Sequence, residues 1–297
     1  MLTALPDVAG ADGGGDAAAG GVKILRPPKE LDADTLASYD AKHKPYTATA
    51  PDARLSIRVG KKGVAADEPT TVHAVFKRCV EVQGGATALR IERDGAWHSV
   101  SWHEYYTQVR RAGRALIHLG LERHQSVNII GFNSPEWFYA NTGAIFAGGK
   151  AAGIYTTNQT DACAYISEHS EARVVVVEDE KQLKKFLPLR GARLPKLRAL
   201  VVYSMAKAPD GVNDGSDAAK AVPVYGWDEF MAFGDLVPDA ELNKRIEAQA
   251  PGDACTLIYT SGTTGNPKAV MISHDNVTWT AKALFGAVPD GFGDRDE

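Results

Sequence analysis

ARVVVVED, residues 172–179, sets four valines in a row with no polar alternation. A strand of that kind cannot keep one face in water, so both faces must be covered. SVNIIGF (126–132) and LRALVVY (197–203) are built the same way. The segments between them carry helical signals: SPEWFYANTGAIFA, DACAYISEHS and EKQLKKFLPL. Unbroken apolar strands alternating with helices predict an α/β fold, a layered, parallel-rich sheet with helices on both faces.

The flanking chain reads in the same terms. TTVHAVFKRCVEVQG spaces Val72, Val75, Phe76, Cys79 and Val80 as one helical face. TALRIE and WHSVSW are two strands around the turn Asp94-Gly95. Ser101 and Glu104 form a capping box for a helix that buries Tyr105, Val109, Ala112 and Leu116 and ends at Gly120. Ser134-Pro135 starts the next helix, with Trp137 and Phe138 read as core. AAGIYTT is a strand, 205–222 a solvated loop, and PDAELNKRIEAQA a helix. KQLKKF reads as a solvated helix face and His274 as part of a helix start rather than an acid–base group. Residues 1–21, rich in Gly, Ala and Asp, are a flexible tail; 22–70 are a lead-in; 71–297 are the regular domain.

Charge and composition exclude some partners. A net charge of −4 is no nucleic-acid footprint. Cys79, Cys163 and Cys255 form no CxxC pair, and the His and Cys positions show no metal-ligand spacing. The start lacks a basic signal-peptide region, and no apolar run approaches the roughly 20 residues of a membrane helix.

The densest chemistry lies in LIYTSGTTGNPKAVMISHDN, residues 257–276. ACTLIYT (254–260) reads as a strand, SGTTGNPK (261–268) as a turn-rich loop, AVMIS as a second strand and HDNVTWTAKALFG as a helix. Gly262 and Gly265 let backbone N–H groups approach an anion, and successive N–H groups make a nest. Ser261, Thr263 and Thr264 add hydroxyl donors, and Lys268 adds a mobile positive charge. Together they suit a polyphosphate. The Walker loop is rejected, because it sets Lys directly after the second Gly and Ser or Thr after the Lys. Here Asn266-Pro267 intervenes and Ala269 follows.

Residues 259–268 resemble the signature loop of the adenylate-forming superfamily, whose pattern continues with Gly where this chain has Ala269. GFNSPEWF, FAGG, GIYTTN, ACAYI and TSGTTGNPK are similar to the bubblegum-type long-chain fatty acid–CoA ligases. The resemblance spans about residues 70 to 290 and implies a partial N-terminal domain of the adenylate-forming fold. It implies a reaction in which a long-chain fatty carboxylate attacks ATP, with Mg²⁺, to give an acyl-adenylate and pyrophosphate. The thiol of CoA then takes the acyl group. It carries nucleotide binding onto Thr260, Ser261, Gly262, Thr263, Thr264, Gly265, Asn266, Pro267 and Lys268, with Thr263 and Lys268 in catalytic roles. It implies a cytoplasmic protein, with peripheral contact to the endoplasmic reticulum membrane as the one membrane association left open.

The family's adenine, ribose and Mg²⁺ motifs and its C-terminal Lys find no counterpart before Glu297. The expectation is a truncated chain with weak ATP affinity, no turnover of its own and exposed apolar sheet edges. A non-catalytic nucleotide- or partner-binding role is the alternative. Ala269 has two readings: a tolerated strand residue, or a loss where the backbone needs glycine.

Overall fold

The computed structural model describes residues 48–57, 59–191, 193–260 and 266–287. All lie in one compact unit, 44–297. The tail expected at 1–21 and the first half of the lead-in lie outside the described residues. In chain order the elements are α1 (Val72–Gln83), β1 (Thr87–Arg93), β2 (Ala96–Ser101), α2 (Trp102–His118), β3 (Ser126–Ile130), α3 (Pro135–Phe146) and β4 (Lys150–Ile154). There follow α4 (Thr160–His169), β5 (Ala172–Val177), α5 (Glu180–Phe186), β6 (Ala199–Val202), α6 (Asp217–Ala221), β7 (Val224–Gly226), α7 (Trp227–Gly234) and α8 (Asp239–Glu247). The described chain closes with β8 (Ala254–Thr260), β9 (Lys268–Ser273) and α9 (His274–Ala287).

Seven strands form one sheet in the order β7-β6-β5-β3-β4-β8-β9. Every neighbouring pair is parallel except β8–β9, which is antiparallel. Each apolar run supplies both faces. Val127 and Ile129 of β3 with Val174 and Val176 of β5 pack against Val109, Leu116, Phe146 and Phe230 from α2, α3 and α7. Ile130, Val175 and Val177 pack on the other side against Ile166, Leu183 and Phe186 from α4 and α5. The parallel sheet covered on both faces is therefore present.

The local signals act as their chemistry requires. Ser101 Oγ accepts from Glu104 N–H at 3.2 Å, and a Glu104 carboxylate oxygen accepts from Ser101 N–H at 2.8 Å. Asp94 and Gly95 sit at φ 52° and 76°, the left-handed pair of a tight hairpin between β1 and β2. Ser134 caps α3 through Trp137 N–H at 3.1 Å. Three readings need correcting. Val75 is exposed, so the buried face of α1 is narrower than its spacing implied. Residues 224–234 form β7 and α7, which no sequence signal marked. The loop at 205–222 contains the short α6.

β9 is an edge strand, and Ile258 of β8 faces Val270 of β9 with both side chains exposed, at 50% and 44%. Among the described residues, no helix is long and apolar enough to cross a membrane. His274 begins α9 and is 2% exposed. Its Nδ1 accepts the Val72 N–H at 3.2 Å, so one imidazole ties the first turn of α1 to the first turn of α9.

Two predictions follow from this packing. α2 and α3 cross through glycines: a Cβ on Gly143 would lie 2.9 Å from Gly113 N and 3.1 Å from Val109 O. Overpacking costs about 1–3 kcal/mol and helix propensity returns about 1, so Gly143→Ala, with its Cβ against backbone atoms, is expected to destabilise by up to about 2 kcal/mol. A denaturation midpoint at or above that of wild type would contradict this. Burial holds both His73 and His274 down to about 4, below the ordinary imidazole value of 6.5. Between those values the unfolded chain binds more protons than the folded one, so stability rises with pH across that window. The urea midpoint is expected to fall as pH drops from about 7 to about 5 and further toward 4; a flat profile would count against neutral, buried imidazoles.

Candidate functional site

β8 and β9 make a hairpin whose ladder runs from Ala254↔Ser273 to Thr260↔Lys268. β8 also lies parallel to β4, where Thr256 Oγ1 donates to Ala151 O at 2.7 Å. The hairpin tip consequently stands at the carboxyl edge of the parallel strands, where open α/β sheets place their ligands. Of the nine residues expected to hold nucleotide, Thr260, Asn266, Pro267 and Lys268 are described. Ser261, Gly262, Thr263, Thr264 and Gly265 lie outside the described residues.

The four described residues come together. Thr260 ends β8, Lys268 begins β9, and they face each other as the last pair of the ladder. Thr260 Oγ1 reaches Lys268 O at 3.5 Å. Asn266 and Lys268 are exposed and Pro267 is half-buried between them. Ala269 pairs with Tyr259 inside β9, and its backbone is not in the left-handed region that favours glycine. That placement supports the reading of Ala269 as a tolerated strand residue.

Helix α4 holds both feet of the hairpin. Tyr165 Oη donates to Pro267 O at 3.1 Å. One turn later, His169 Nδ1 is paired with Tyr259 Oη at 2.9 Å, and Tyr259 Oη also approaches Ile166 O at 3.3 Å. Burial pushes the Tyr259 phenol up to about 12, which keeps its proton on oxygen. The Tyr165 and His169 rings stack with centroids 5.6 Å apart. Sequence reasoning missed these two side chains. Their signal was an aromatic pair at i,i+4 within DACAYISEHS, which shares one helix surface.

A groove of about 1130 Å³ runs along this face of the hairpin, from Pro267 and Lys268 to Arg123, His124 and Lys150 at the amino edge of the sheet. Part of the lead-in closes that far end. Lys150 Nζ donates to Pro51 O at 2.9 Å, Arg54 Nε donates to Asp253 Oδ1 at 2.7 Å, and Leu55 N–H donates to Gly252 O at 3.0 Å. Lys150 is 2% exposed; burial pushes its amine down to about 8 against the pull of Asp52 and Glu171. Among the described residues, no cluster of three or more His, Cys, Asp or Glu side chains forms a metal site.

Residues 76–297 match the family of AMP-binding enzymes. The long-chain-fatty-acid–CoA ligase ACSBG2 of Xenopus laevis is 46% identical over 232 residues, which are 78% of this chain and 30% of that protein. The long-chain-fatty-acid–CoA ligase ACSBG1 of Bos taurus is 40% identical over 261 residues, 88% of this chain and 34% of that protein. The chain thus spans about a third of the length of the curated relatives it matches. The anthranilate CoA ligase AuaEII, solved with anthranoyl-AMP, superposes with a TM-score of 0.57 at 24% identity, covering 74% of this chain and 38% of that one. That likeness concerns the fold. With the family match covering all seven strands of the large sheet, this chain belongs to the family of AMP-binding enzymes.

Proposed function

We propose that this chain carries the phosphate-handling portion of a long-chain fatty acid–CoA ligase. The observation that carries the reading is the hairpin tip. Thr260 and Lys268 close the ladder at the carboxyl edge of the sheet, on either side of the Ser/Gly/Thr-rich residues 261–265. The names of the relatives at 46% and 40% identity supply the substrate class.

In this reading the fatty carboxylate attacks the α-phosphate of ATP and displaces pyrophosphate, and the CoA thiolate then displaces AMP from the acyl carbon. Residues 260–268 act in the first step. Backbone N–H groups and the hydroxyls of Thr260, Ser261, Thr263 and Thr264 donate to the β- and γ-phosphates. Lys268 neutralises the charge that builds as pyrophosphate departs, which is electrostatic stabilisation of a leaving group. Pro267 contributes no N–H and acts by fixing the chain before Lys268. No group of three or more His, Cys, Asp or Glu side chains gathers among the described residues, so no residue is assigned as a ligand of Mg²⁺. A cytoplasmic location in peripheral contact with the endoplasmic reticulum membrane fits a substrate that partitions into lipid.

Binding of inorganic pyrophosphate and of ATP to the purified chain, measured by calorimetry, tests the reading. An exposed charge pair is worth about 1 kcal/mol and a charge-assisted hydrogen bond about 1.5–3, so Lys268→Ala is expected to weaken binding at least about fivefold. Equal binding by wild type and variant would remove Lys268 from the site. Long-chain acyl-CoA formation in the same preparation distinguishes a ligase from a chain that only binds nucleotide.

A further inference from the structure

We infer that Tyr165, on α4, is a positioning residue that sets the orientation of Lys268 by holding the carbonyl of Pro267. The inference rests on the ligase reading for its functional consequence and on the geometry for the contact itself.

Thr260↔Lys268 is the last pair of the β8–β9 ladder. Pro267, one residue beyond it, has no N–H to extend the ladder. Its carbonyl is instead taken by the Tyr165 hydroxyl at 3.1 Å. The Pro267 C=O and the Lys268 N–H belong to one planar peptide unit and point in opposite directions. Fixing the carbonyl therefore fixes the direction of the Lys268 N–H and the start of its side chain. The donor is itself held: Tyr165 stacks on His169, which is paired with Tyr259 on the other foot of the hairpin. Tyr259 also approaches Ile166 O in the same helical turn. One stretch of α4, residues 165–169, thus grips β8 and β9 on both sides of their junction. A helix packed on the sheet core through Cys163, Ala164 and Ile166 is a stiff support for that grip.

The test uses the full 297-residue chain and Tyr165→Phe, which keeps the ring and its stacking and removes only the hydroxyl. Losing one neutral hydrogen bond of about 1 kcal/mol is expected to speed amide exchange at residues 268–270 about fivefold and to weaken inorganic pyrophosphate binding by a similar factor. Tyr203→Phe is the control. It deletes a hydroxyl-to-carbonyl bond of the same kind, to Phe132 O at 2.7 Å, and is expected to leave both readouts unchanged. Tyr165→Lys supplies a donor of similar reach and is expected to return slow exchange, and it serves as the deciding variant should the Phe form not fold. Unchanged exchange in Tyr165→Phe, or fast exchange in Tyr165→Lys, would overturn the contact's role. Faster exchange with unaltered pyrophosphate affinity would overturn the positioning of Lys268. A wild type that does not bind pyrophosphate would instead undercut the ligase reading, and the exchange measurements would still decide whether Tyr165 anchors the hairpin.

Discussion

Removing β3 from water on both faces is the constraint from which the rest of the structure follows. Ser126 to Ile130 are all buried, and their backbone groups are satisfied by β4 on one side and β5 on the other. A strand so placed demands two layers of helices and parallel neighbours joined by crossovers. The layers come from α2, α3 and α7 on one face and α4 and α5 on the other. Because β8 is added parallel to β4, its carboxyl end joins the edge where β3, β4 and β5 also end. The hairpin tip owes its position to that chain of pairings rather than to its own composition.

Helix α4 supports the described ends of the hairpin, through Tyr165 on Pro267 and the His169–Tyr259 pair. Residues 48–55 do similar work at the other end of the groove. Asp253 receives Arg54 there, and its own carbonyl accepts the His274 N–H at 3.1 Å. The start of α9 is thereby tied to the backbone of Asp253, and the lead-in to its buried carboxylate. Burial raises its pKa, but the hydrogen bonds from Arg54 and the Ala250 N–H outweigh this and keep it below the usual value.

Much of this was legible because its causes are local. Four successive valines declare a doubly covered strand, Ser101 and Glu104 declare a cap, and Asp94-Gly95 declares a tight turn. The signature at 259–268 likewise carries its hairpin in its flanking strands. What escaped was decided at long range or by very short elements. β7 is three residues, too brief for any periodicity, and it exists because β6 offers it an edge. Val75 has a core-facing spacing, yet it falls at the margin of the packed face and is 36% exposed. The Tyr165–Pro267 contact joins residues 102 positions apart, and Lys150–Pro51 spans 99, so neither pattern nor propensity could reveal them.

The exposure of Lys268 bears on how much the hairpin can do unaided. An ammonium in water gains little from an anion, since at 4 Å two unit charges attract by about 1 kcal/mol in bulk solvent and about 4 at an effective dielectric near 20. Lys268 stands on an edge strand with Asn266 and Val270 also exposed beside it. In that setting its bond to phosphate competes with hydration and with salt. The same residue gains several-fold in leverage once water is excluded. Under the proposed reading, the described hairpin fixes where phosphate charge would be met, through backbone placement and the Tyr165 contact, while the strength of that encounter would depend on how dry the site becomes with substrate bound. Position and strength are separate properties, and the geometry of Thr260, Pro267 and Lys268 accounts for the first.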